Sequence, residues 1–389
     1  MRKNTIRVSE LIICMSLFEV GSTTLFLMGA EAKQDAWLVM LIGALAGLLL
    51  LMLHLAIHHQ DPDLDLFMLF RRYTGKYVGT IINLLFVMYF TYEASRNIRD
   101  LGEVTVMTLL RQTPLWIIIL ITIVVVSNTV RYGYKALFLF CLFLFPFFVL
   151  GYAIISILIP ATGLFHLENS LPVLEEGWKP IFKAAIPELI SFPFGQTVLF
   201  LVFYPLVHKD RNITKPVFFA YIMTALALTF VNQLDIFVLG PKIAANSTLP
   251  LLETVQLIEL ADLFERMDAL FTLLLFLGLI IKMSLFFNGA VIGLEKITGV
   301  GFKKWILPLA ALIYGLSFLS PNYIHHMVIG RKFVLNSWFP IFQIFLPLSL
   351  FTFIVIKKEK RQINSPLHKD TVVQYSEVMP LSQQLHHTR

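Results

Sequence analysis

The chain has 389 residues, of which 57% are apolar and only 14% are charged, with 35 Phe and a mean hydropathy of +0.76. This balance excludes an ordinary soluble domain and is typical of an integral membrane protein. The net charge of +6 then reflects the distribution of Lys and Arg around a membrane rather than nucleic-acid binding.

Ten segments of the chain are long and apolar enough to cross a bilayer, which needs about 20 residues per helix. The predicted spans are residues 9–30, 36–57, 78–104, 114–131, 136–159, 183–206, 216–238, 266–294, 304–320 and 337–356. The polar stretches between them are too short to form a separate domain, so we expect one membrane domain over residues 1–356. The first segment follows basic residues, as a signal peptide does, but its length, Glu19 and Gly21 indicate a retained span.

The loops and the tail predict the orientation. Lys and Arg are more frequent on the side of the N-terminus than on the opposite side, which places both termini in the cytoplasm. Residues 61–72 alternate apolar and charged side chains and predict a short interfacial helix. In the tail, 357–389, the basic run KKEKR can lie against anionic lipid headgroups, and we expect the polar remainder to be disordered.

Two similar stretches interrupt the first and sixth spans: FEVGSTTLFL at 18–27 and FPFGQTVLFL at 192–201. They open two halves of five spans, about 9–159 and 183–356, and an odd number of spans gives the halves opposite orientations. This pattern predicts an inverted repeat whose broken helices meet near the bilayer midplane and form a ligand site. Two ordinary Pro/Gly kinks, which are common in membrane helices, are the alternative interpretation.

The residues at these breaks are the candidate ligand-binding groups. They are Glu19, Gly21, Ser22, Thr23, Phe192, Pro193, Gly195 and Gln196. The glycines accept non-helical dihedral angles and the proline removes a backbone donor. We expect a half-helix beginning near residues 22–24 to bind a carboxylate, and the free carbonyl groups to bind an ammonium group, a combination that fits an α-amino acid.

Two other spans carry polar residues at membrane depth. Tyr92 and Glu93 in the third span are candidate pocket residues, whereas Arg99 and Glu103 are expected to form a solvated pair where the helix leaves the membrane. Lys282 in the eighth span has three interpretations: a fixed cation where a related transporter would bind sodium, a proton carrier, or a structural partner of an acidic residue. The first is favoured.

The remaining signals are weak. His54 and His58 have no third ligand in pattern, so we expect surface histidines and no metal site. The chain has neither a phosphate-binding loop nor a nucleophile elbow, which argues against an enzyme or an ATP-driven pump and indicates no cofactor.

A series of short motifs in a fixed order resembles the endospore germination permeases, which are the B subunits of germinant receptors in the amino acid–polyamine–organocation transporter superfamily. The motifs are Lys33-Gln34-Asp35-Ala36-Trp37, Thr74-Gly75-Lys76 with Gly79, Thr113-Pro114, Leu171-Pro172-Val173-Leu174, Gly177-Trp178-Lys179-Pro180, Phe192-Pro193-Phe194-Gly195, Leu239-Gly240, Phe264-Glu265-Arg266-Met267-Asp268 and Lys282.

The resemblance implies an all-α, LeuT-like fold of inverted five-helix repeats in the spore inner membrane, together with A and C partner subunits. It implies a germinant pocket at residues 19–23, Tyr92, Glu93, residues 192–196 and Lys282. The sequence departs from the family pattern where Gln196 follows the glycine in place of an acidic residue, and where VSELIICMS lacks a polar Gln. The leading hypothesis is a germinant-sensing subunit, and the alternative is a proton-coupled or facilitative amino acid transporter.

Overall fold

The computed structural model describes residues 5–208, 212–258 and 267–363. Within these ranges the backbone forms helices and connecting turns, and its only extended pairing is a bridge between Ile6 and Val207. The α-helices are α1 (Val8–Thr23), α2 (Ala36–Gln60), α3 (Leu66–Thr74), α4 (Lys76–Thr108), α5 (Leu115–Arg131), α6 (Tyr134–Ala161), α7 (Trp178–Ala184), α8 (Thr214–Asn246), α9 (Pro250–Gln256), α10 (Met267–Thr298), α11 (Phe302–Leu316), α12 (Tyr323–Ile329) and α13 (Leu346–Ile363).

Tighter and wider helical turns connect these elements. The 3-10 helices are Ala30–Asp35, Leu167–Ser170, Phe194–Val202 and Tyr204–Leu206, and the π-helical turns are Ala185–Leu189, Gly330–Trp338 and Ile341–Phe345. Residues 323–363 are helical throughout, whereas the segment 178–191 is kinked at Ile186, whose φ of −118° and ψ of 121° are not helical.

Seven helical segments of the described chain are long and apolar enough to cross a membrane. They are Ala30–Gln60, Lys76–Thr108, Tyr134–Ala161, Trp178–Val202, Thr214–Asn246, Met267–Thr298 and Tyr323–Glu359. The protein is therefore an all-α, multi-pass membrane protein. The other three predicted spans coincide with shorter helices, namely α1 with 16 residues, α5 with 17 and α11 with 15. The total of ten spans and the inverted repeat stay predictions.

Helix α10 lies at the centre of the molecule and packs mainly against α4 and α1. An aromatic cluster fills the space around it: the ring of Tyr89 stacks on Phe342 with centroids 4.8 Å apart, and Phe90 and Phe286 lie at 6.0 Å. The predicted interfacial helix is present as α3, and its apolar face is buried against α4. Aromatic packing of this kind holds α4, α10 and the last helical segment together.

The first predicted interruption is the end of α1 rather than a break between two half-helices, because residues 24–29 are non-helical and the next helix, Ala30–Asp35, leads into α2. Helix α1 continues through Gly21 and ends at Thr23, so the expectation of a half-helix that begins at residues 22–24 is wrong. The turn that follows is held by Asn232 of α8, whose Oδ1 accepts from Met28 N at 2.8 Å and whose Nδ2 donates to Met28 O at 3.0 Å. The free backbone groups of this break are thus satisfied by protein, as a hydrocarbon environment requires.

The second break precedes Gly195. The helix over residues 178–191 ends at Ser191, and a 3-10 helix begins at Phe194. Gln343 donates through Nε2 to Ser191 O at 3.0 Å, so a buried amide side chain satisfies this break too. A Cβ atom on Gly195 would lie 2.5 Å from Ile190 O. Close approach, rather than an unusual backbone conformation, requires glycine here and at Gly21, because neither residue has a positive φ.

The last helix extends to Ile363, past the predicted end of the membrane domain at residue 356. The rest of the tail, for which disorder is predicted, lies outside the described residues.

Candidate functional site

A pocket of about 270 Å³ lies between the end of α1, the middle of α4, the second break and the segment around α12. Four of the predicted site residues line it, namely Ser22, Glu93, Phe192 and Gln196. The pocket therefore brings together residues from the first, third and sixth predicted spans. The pocket also has lining residues that the prediction did not include: Phe26, Arg96, Asn97, Asp100, Glu188 and Arg331.

A hydrogen bond between two predicted residues joins α4 to the second break. Gln196 donates through Nε2 to Glu93 Oε2 at 2.7 Å, and both side chains are buried. Glu93 Oε1 and Gln196 Oε1 have no hydrogen-bond partner among the described residues. Both residues line the pocket, and each of these oxygen atoms has the capacity to accept a further hydrogen bond.

The next turn of α4 adds a guanidinium group and two more oxygen atoms. Arg96 Nη1 is unpaired in the described part of the chain, and its guanidinium lies directly against Gly330. Asn97 donates through Nδ2 to Glu93 O at 2.8 Å, which leaves Asn97 Oδ1 unpaired. Asp100 Oδ1 lies 3.3 Å from Nε2 of the buried His326. The pocket thus presents unpaired donors and acceptors together.

The expectation that the outer part of α4 is solvated is wrong. Arg99 is only 4% exposed, donates to Glu103 Oε1 at 2.7 and 2.8 Å, and donates through Nη1 to Ser317 O at 3.0 Å. Sequence reasoning placed this stretch in water because four of its residues carry charge. The tertiary contacts with the α11–α12 region bury it.

A charged network lies at the mouth of the pocket. Arg331 is 2.9 Å from Glu188 Oε1 and 3.3 Å from Glu31 Oε1, and all three residues are partly exposed. It therefore links the last helical segment, the sixth predicted span and the short helix before α2. The sequence gives no direct signal for this network, because the three residues are far apart along the chain.

Lys282 and Glu19 lie beneath the pocket. The Lys282 side chain is fully buried, and its Nζ lies 4.6 Å from the ring centroid of Phe192 and 5.1 Å from that of Phe18. Nζ and both carboxylate oxygens of Glu19 have no hydrogen-bond partner among the described residues. The two side chains interact electrostatically without a direct bond.

The other predicted residues take supporting positions. Gly21, Thr23, Pro193 and Gly195 do not line the pocket, and Thr23 donates to the carbonyl oxygen of Glu19 at 2.5 Å within α1. Tyr92 packs edge-on against Trp338, with ring centroids 6.0 Å apart. These residues support the lining residues but are not themselves part of the pocket surface.

The expectation of surface histidines is wrong for α2. His54 and His58 are both buried, and His54 Nδ1 lies 3.3 Å from Thr197 Oγ1. Within the described ranges, no three or more His, Cys, Asp or Glu residues form a group that could hold a metal ion.

Comparison with known proteins identifies the family. Residues 5–325 match the family model described as spore germination protein. The chain belongs to the spore germination permease family. It is 30% identical to Spore germination protein KB of Bacillus subtilis over 93% of this chain and 98% of that protein.

Two further spore germination proteins of the same organism are less similar to this chain. Spore germination protein YndE is 25% identical over 82% of this chain and 88% of its own length, and Spore germination protein B2 is 25% identical over 88% and 95%. The family and these names support a role in spore germination. Spore germination permeases are membrane proteins and not a known class of enzyme.

Proposed function

We propose that the chain is the germinant-sensing B subunit of a spore germinant receptor. It binds a small amino-acid-like germinant in the pocket and signals germination through A and C partner subunits. The observation that supports this most strongly is the presence of unpaired donors and acceptors on residues that line one pocket in a membrane-embedded bundle. Buried polar atoms are rarely left without partners unless a ligand or solvent completes them.

The chemistry of these atoms suits a zwitterion. Arg96 Nη1 is the donor for a carboxylate, because guanidinium groups bind carboxylates with strong, charge-assisted hydrogen bonds. Glu93 Oε1 and Gln196 Oε1 accept from an ammonium group. A ligand with only one of the two charges would leave the opposite group unpaired in a partly desolvated site, which costs affinity.

The size of the pocket suits a small ligand. Its volume of about 270 Å³ lies just below the usual range of about 300–1,000 Å³ for ligand pockets. Phe26, Phe192 and Phe339 supply apolar walls, so a short apolar side chain fits better than a charged one. Ser22 contributes a hydroxyl near the end of α1.

The predicted site residues that do not line the pocket preserve its shape. In this proposal Glu19, Gly21, Thr23, Pro193 and Gly195 fix the ends of the two broken helices, and Tyr92 supports α4 from behind. Lys282 acts as a fixed cation that holds the two breaks together, because its ammonium group lies between Phe18 of α1 and Phe192 of the second break.

The proposal includes the fold of the protein and its place in the membrane. Ten spans form a LeuT-like inverted repeat, in which residues 9–159 and 183–356 are the two halves, and discontinuous helices from each half meet at the ligand. The protein resides in the spore inner membrane with both termini on the core side, and its basic tail contacts lipid headgroups. No nucleic acid, metal or cofactor takes part.

Signalling depends on the segments of the chain that line the pocket. Its lining comes from α4, the second break and the segment around α12, so a bound ligand contacts all three at once. A ligand that binds one arrangement of these walls more tightly shifts the protein towards that arrangement. Partner subunits read this shift and start ion release.

A second candidate is an amino acid transporter, driven by protons or by the gradient of its substrate. The observation that favours it is the pair of discontinuous helices beside the pocket, since this arrangement is typical of secondary transporters.

The proposal is tested by measuring germination of spores that carry Arg96→Gln against a panel of amino acids and sugars. A hydrogen bond to a charged group contributes about 1.5–3 kcal/mol, so the germinant concentration for half response should rise roughly tenfold to a hundredfold. Arg111→Gln is the matched control, because Arg111 is exposed and does not line the pocket. An unchanged response of Arg96→Gln to every amino acid would contradict the pocket assignment.

Uptake separates the receptor from the transporter. The purified full chain is reconstituted into liposomes with a labelled amino acid that triggers germination. Binding without accumulation supports the receptor, whereas concentrative uptake supports the transporter.

A further inference from the structure

Several titratable side chains below the pocket carry buried atoms without hydrogen-bond partners. In the described part of the chain these atoms are both carboxylate oxygens of Glu19, Lys282 Nζ, the Tyr204 hydroxyl and His58 Nδ1. Most buried polar side-chain atoms in proteins are paired. Titratable residues inside a membrane are costly and mark ion or proton pathways more often than structural sites.

These side chains form a continuous series, which we call the titratable series, from the surface to the pocket. It begins at His59, which is exposed at the end of α2, and its ring centroid lies 5.8 Å from that of His58. The His58 ring lies 5.4 Å from that of Tyr204. Tyr204 interacts electrostatically with Glu19, as Glu19 does with Lys282.

The series ends in the pocket. Lys282 interacts electrostatically with Glu93 as well as with Glu19, and Glu93 lines the pocket with its unpaired Oε1. Asp100 and Arg96 are the other charged groups that act on this end of the series. The links among His59, His58 and Tyr204 are ring contacts, and the links from Tyr204 through Glu19 and Lys282 to Glu93 are electrostatic interactions.

Other titratable groups around Glu19 are engaged elsewhere. On α8, Tyr221 donates its hydroxyl to Ala44 O at 2.8 Å. On α4, the Tyr89 hydroxyl accepts from Gln343 Nε2 at 2.8 Å. On α6, Cys141 contacts Cys14 of α1, with sulfur atoms 3.3 Å apart.

The groups around His58 are likewise accounted for. Asp63 acts on it electrostatically from the loop after α2. His54, one turn earlier on α2, is directed to Thr197 of the 3-10 segment. Of the tyrosines near Glu19, Tyr204 alone among the described residues has a buried hydroxyl without a partner.

A structural ion pair in this protein has a different geometry. Arg99 and Glu103 are also largely buried, and they are joined by direct contacts of 2.7 and 2.8 Å. Glu19 and Lys282 have no such bond, although both are buried. A pair that served only to stabilise the fold would need direct hydrogen bonds to offset the desolvation of its charges.

We propose that the titratable series conducts protons between the surface at His59 and the pocket. The imidazole, phenol, carboxylic acid and amine groups of the series can each take up one proton and release another. A proton from water at His59 passes to His58, His58 releases one to the Tyr204 oxygen, and Tyr204 releases its hydroxyl proton to the Glu19 carboxylate. Glu19 becomes a neutral acid, and the charge of one proton has moved inward without oxidation or reduction.

The second half of the path returns Glu19 to its starting state. The Lys282 ammonium group releases a proton to the Glu93 carboxylate, the amine that remains takes up the proton of Glu19 and becomes an ammonium group again, and Glu93 releases its proton to water in the pocket. Side-chain rotation or a bridging water molecule spans the distances between the groups. The path requires no germinant and therefore does not depend on the proposed function.

The experiment measures proton flux through the purified full chain in liposomes that contain a pH-sensitive dye. Valinomycin and potassium clamp the membrane potential, an external acid jump starts the flux, and no amino acid is present. Wild-type protein should dissipate the pH gradient several-fold faster than empty liposomes. Tyr204→Phe and His58→Leu should reduce the rate to that of empty liposomes.

Two matched controls lie beside the series. His54→Leu removes a buried imidazole from the same helix, and Tyr221→Phe removes a hydroxyl near the same carboxylate, and both should retain the wild-type rate. Thermal unfolding and gel filtration establish that each variant is folded. Tyr204→Phe removes a single oxygen atom and keeps the ring, so it remains informative where His58→Leu does not fold.

The outcomes decide the proposal directly. A wild-type rate equal to that of empty liposomes would overturn it, as would a wild-type rate in folded Tyr204→Phe. Equal loss of flux in His54→Leu and Tyr221→Phe would also overturn it, because the effect would then not follow the series. Failure of the germinant-binding assay leaves the proton measurement unaffected.

Discussion

Gly21 on α1 and Gly278 on α10 are in direct backbone contact: a Cβ atom on Gly21 would lie 2.9 Å from Gly278 O, and a Cβ atom on Gly278 would lie 2.9 Å from Gly21 O. The reciprocal contact lets the two helices approach without side chains between them. It also brings Lys282 against α1, since the same added atom on Gly21 would lie 3.1 Å from Lys282 Cβ. The two glycines therefore determine where the buried ammonium group lies.

Replacement of Gly21 by Val should abolish the germinant response without preventing membrane insertion. The new side chain meets backbone atoms of α10, which cannot rotate away, and overpacking of this kind costs about 1–3 kcal/mol. Helix α1 would have to move outward, and Ser22 would move with it away from the pocket. The measurements are the germinant dose response of spores and the amount of protein in the membrane fraction.

Gly315→Val is the matched control for this substitution. Gly315 lies in α11, and no atom lies within 4 Å of an added Cβ. It should keep the wild-type dose response, because the added side chain meets no neighbouring atom and Val is a better helix former than Gly. A normal dose response of Gly21→Val would show that the contact with α10 is not required.

Replacement of Gln196 by Leu should weaken germinant binding. It removes the 2.7 Å hydrogen bond to Glu93 Oε2 and leaves that carboxylate without a donor in the described site. Loss of a hydrogen bond to a buried charged group costs about 1.5–3 kcal/mol. Titration of the purified protein with the germinant should give a dissociation constant raised by roughly tenfold or more.

The control for Gln196→Leu is another buried glutamine outside the pocket. Gln233 donates to Ser170 Oγ at 2.7 Å and to Gln34 O at 3.3 Å, and it does not line the pocket. Gln233→Leu should lower the thermal stability but leave the dissociation constant unchanged. If both variants weaken binding equally, the effect of Gln196 is one of stability alone.

The sequence predicted those parts of the candidate site that follow from local chemistry. Phe192, Pro193 and Gly195 predict a break because proline lacks a backbone donor and glycine has no Cβ, and the helix does end at this point. Glu93 and Gln196 are polar residues in apolar spans, and both line the pocket. Each of these signals comes from a few neighbouring residues, so it can be recognised without knowing the fold.

The remaining site residues depend on contacts that the sequence does not specify. Arg96 and Asp100 lie in a polar stretch of α4, and the α12 region packs against both of them and shields them from bulk water. In the same way, the position at which α1 ends depends on Asn232 of α8, which forms hydrogen bonds with the backbone N and O of Met28. A single sequence gives the polar residues but not the distant partners that bury them.

Replacement of Arg331 by Gln should make the pocket more accessible from its mouth. The change removes both ion pairs, to Glu188 and to Glu31, that join three segments of the chain. Exposed ion pairs contribute little stability, less than about 1 kcal/mol each, so the fold should persist. In a chain whose two native cysteines are replaced by Ser, a cysteine substituted for Ser22 should react several-fold faster with a water-soluble maleimide.

Lys332→Gln removes the same charge from the adjacent position. Lys332 is exposed, and no ion pair is found for it in the part of the chain that the structure describes. It should leave the labelling rate of Ser22→Cys unchanged. Equal labelling in Arg331→Gln and in the unmodified background would contradict a role of the charged network in closing the mouth.

Replacement of Lys282 by Met should destabilise the protein, and the additional substitution Glu19→Gln should recover most of the loss. The single change leaves the buried Glu19 carboxylate without a compensating charge, which costs about 3–5 kcal/mol, whereas the double change removes both charges. Thermal unfolding of the two single variants and the double variant forms a complete cycle.

The germinant response should stay absent in the stabilised double variant, because the cation between Phe18 and Phe192 is missing. Additive destabilisation would mean that the two residues do not interact, and a restored response would make Lys282 a structural partner only.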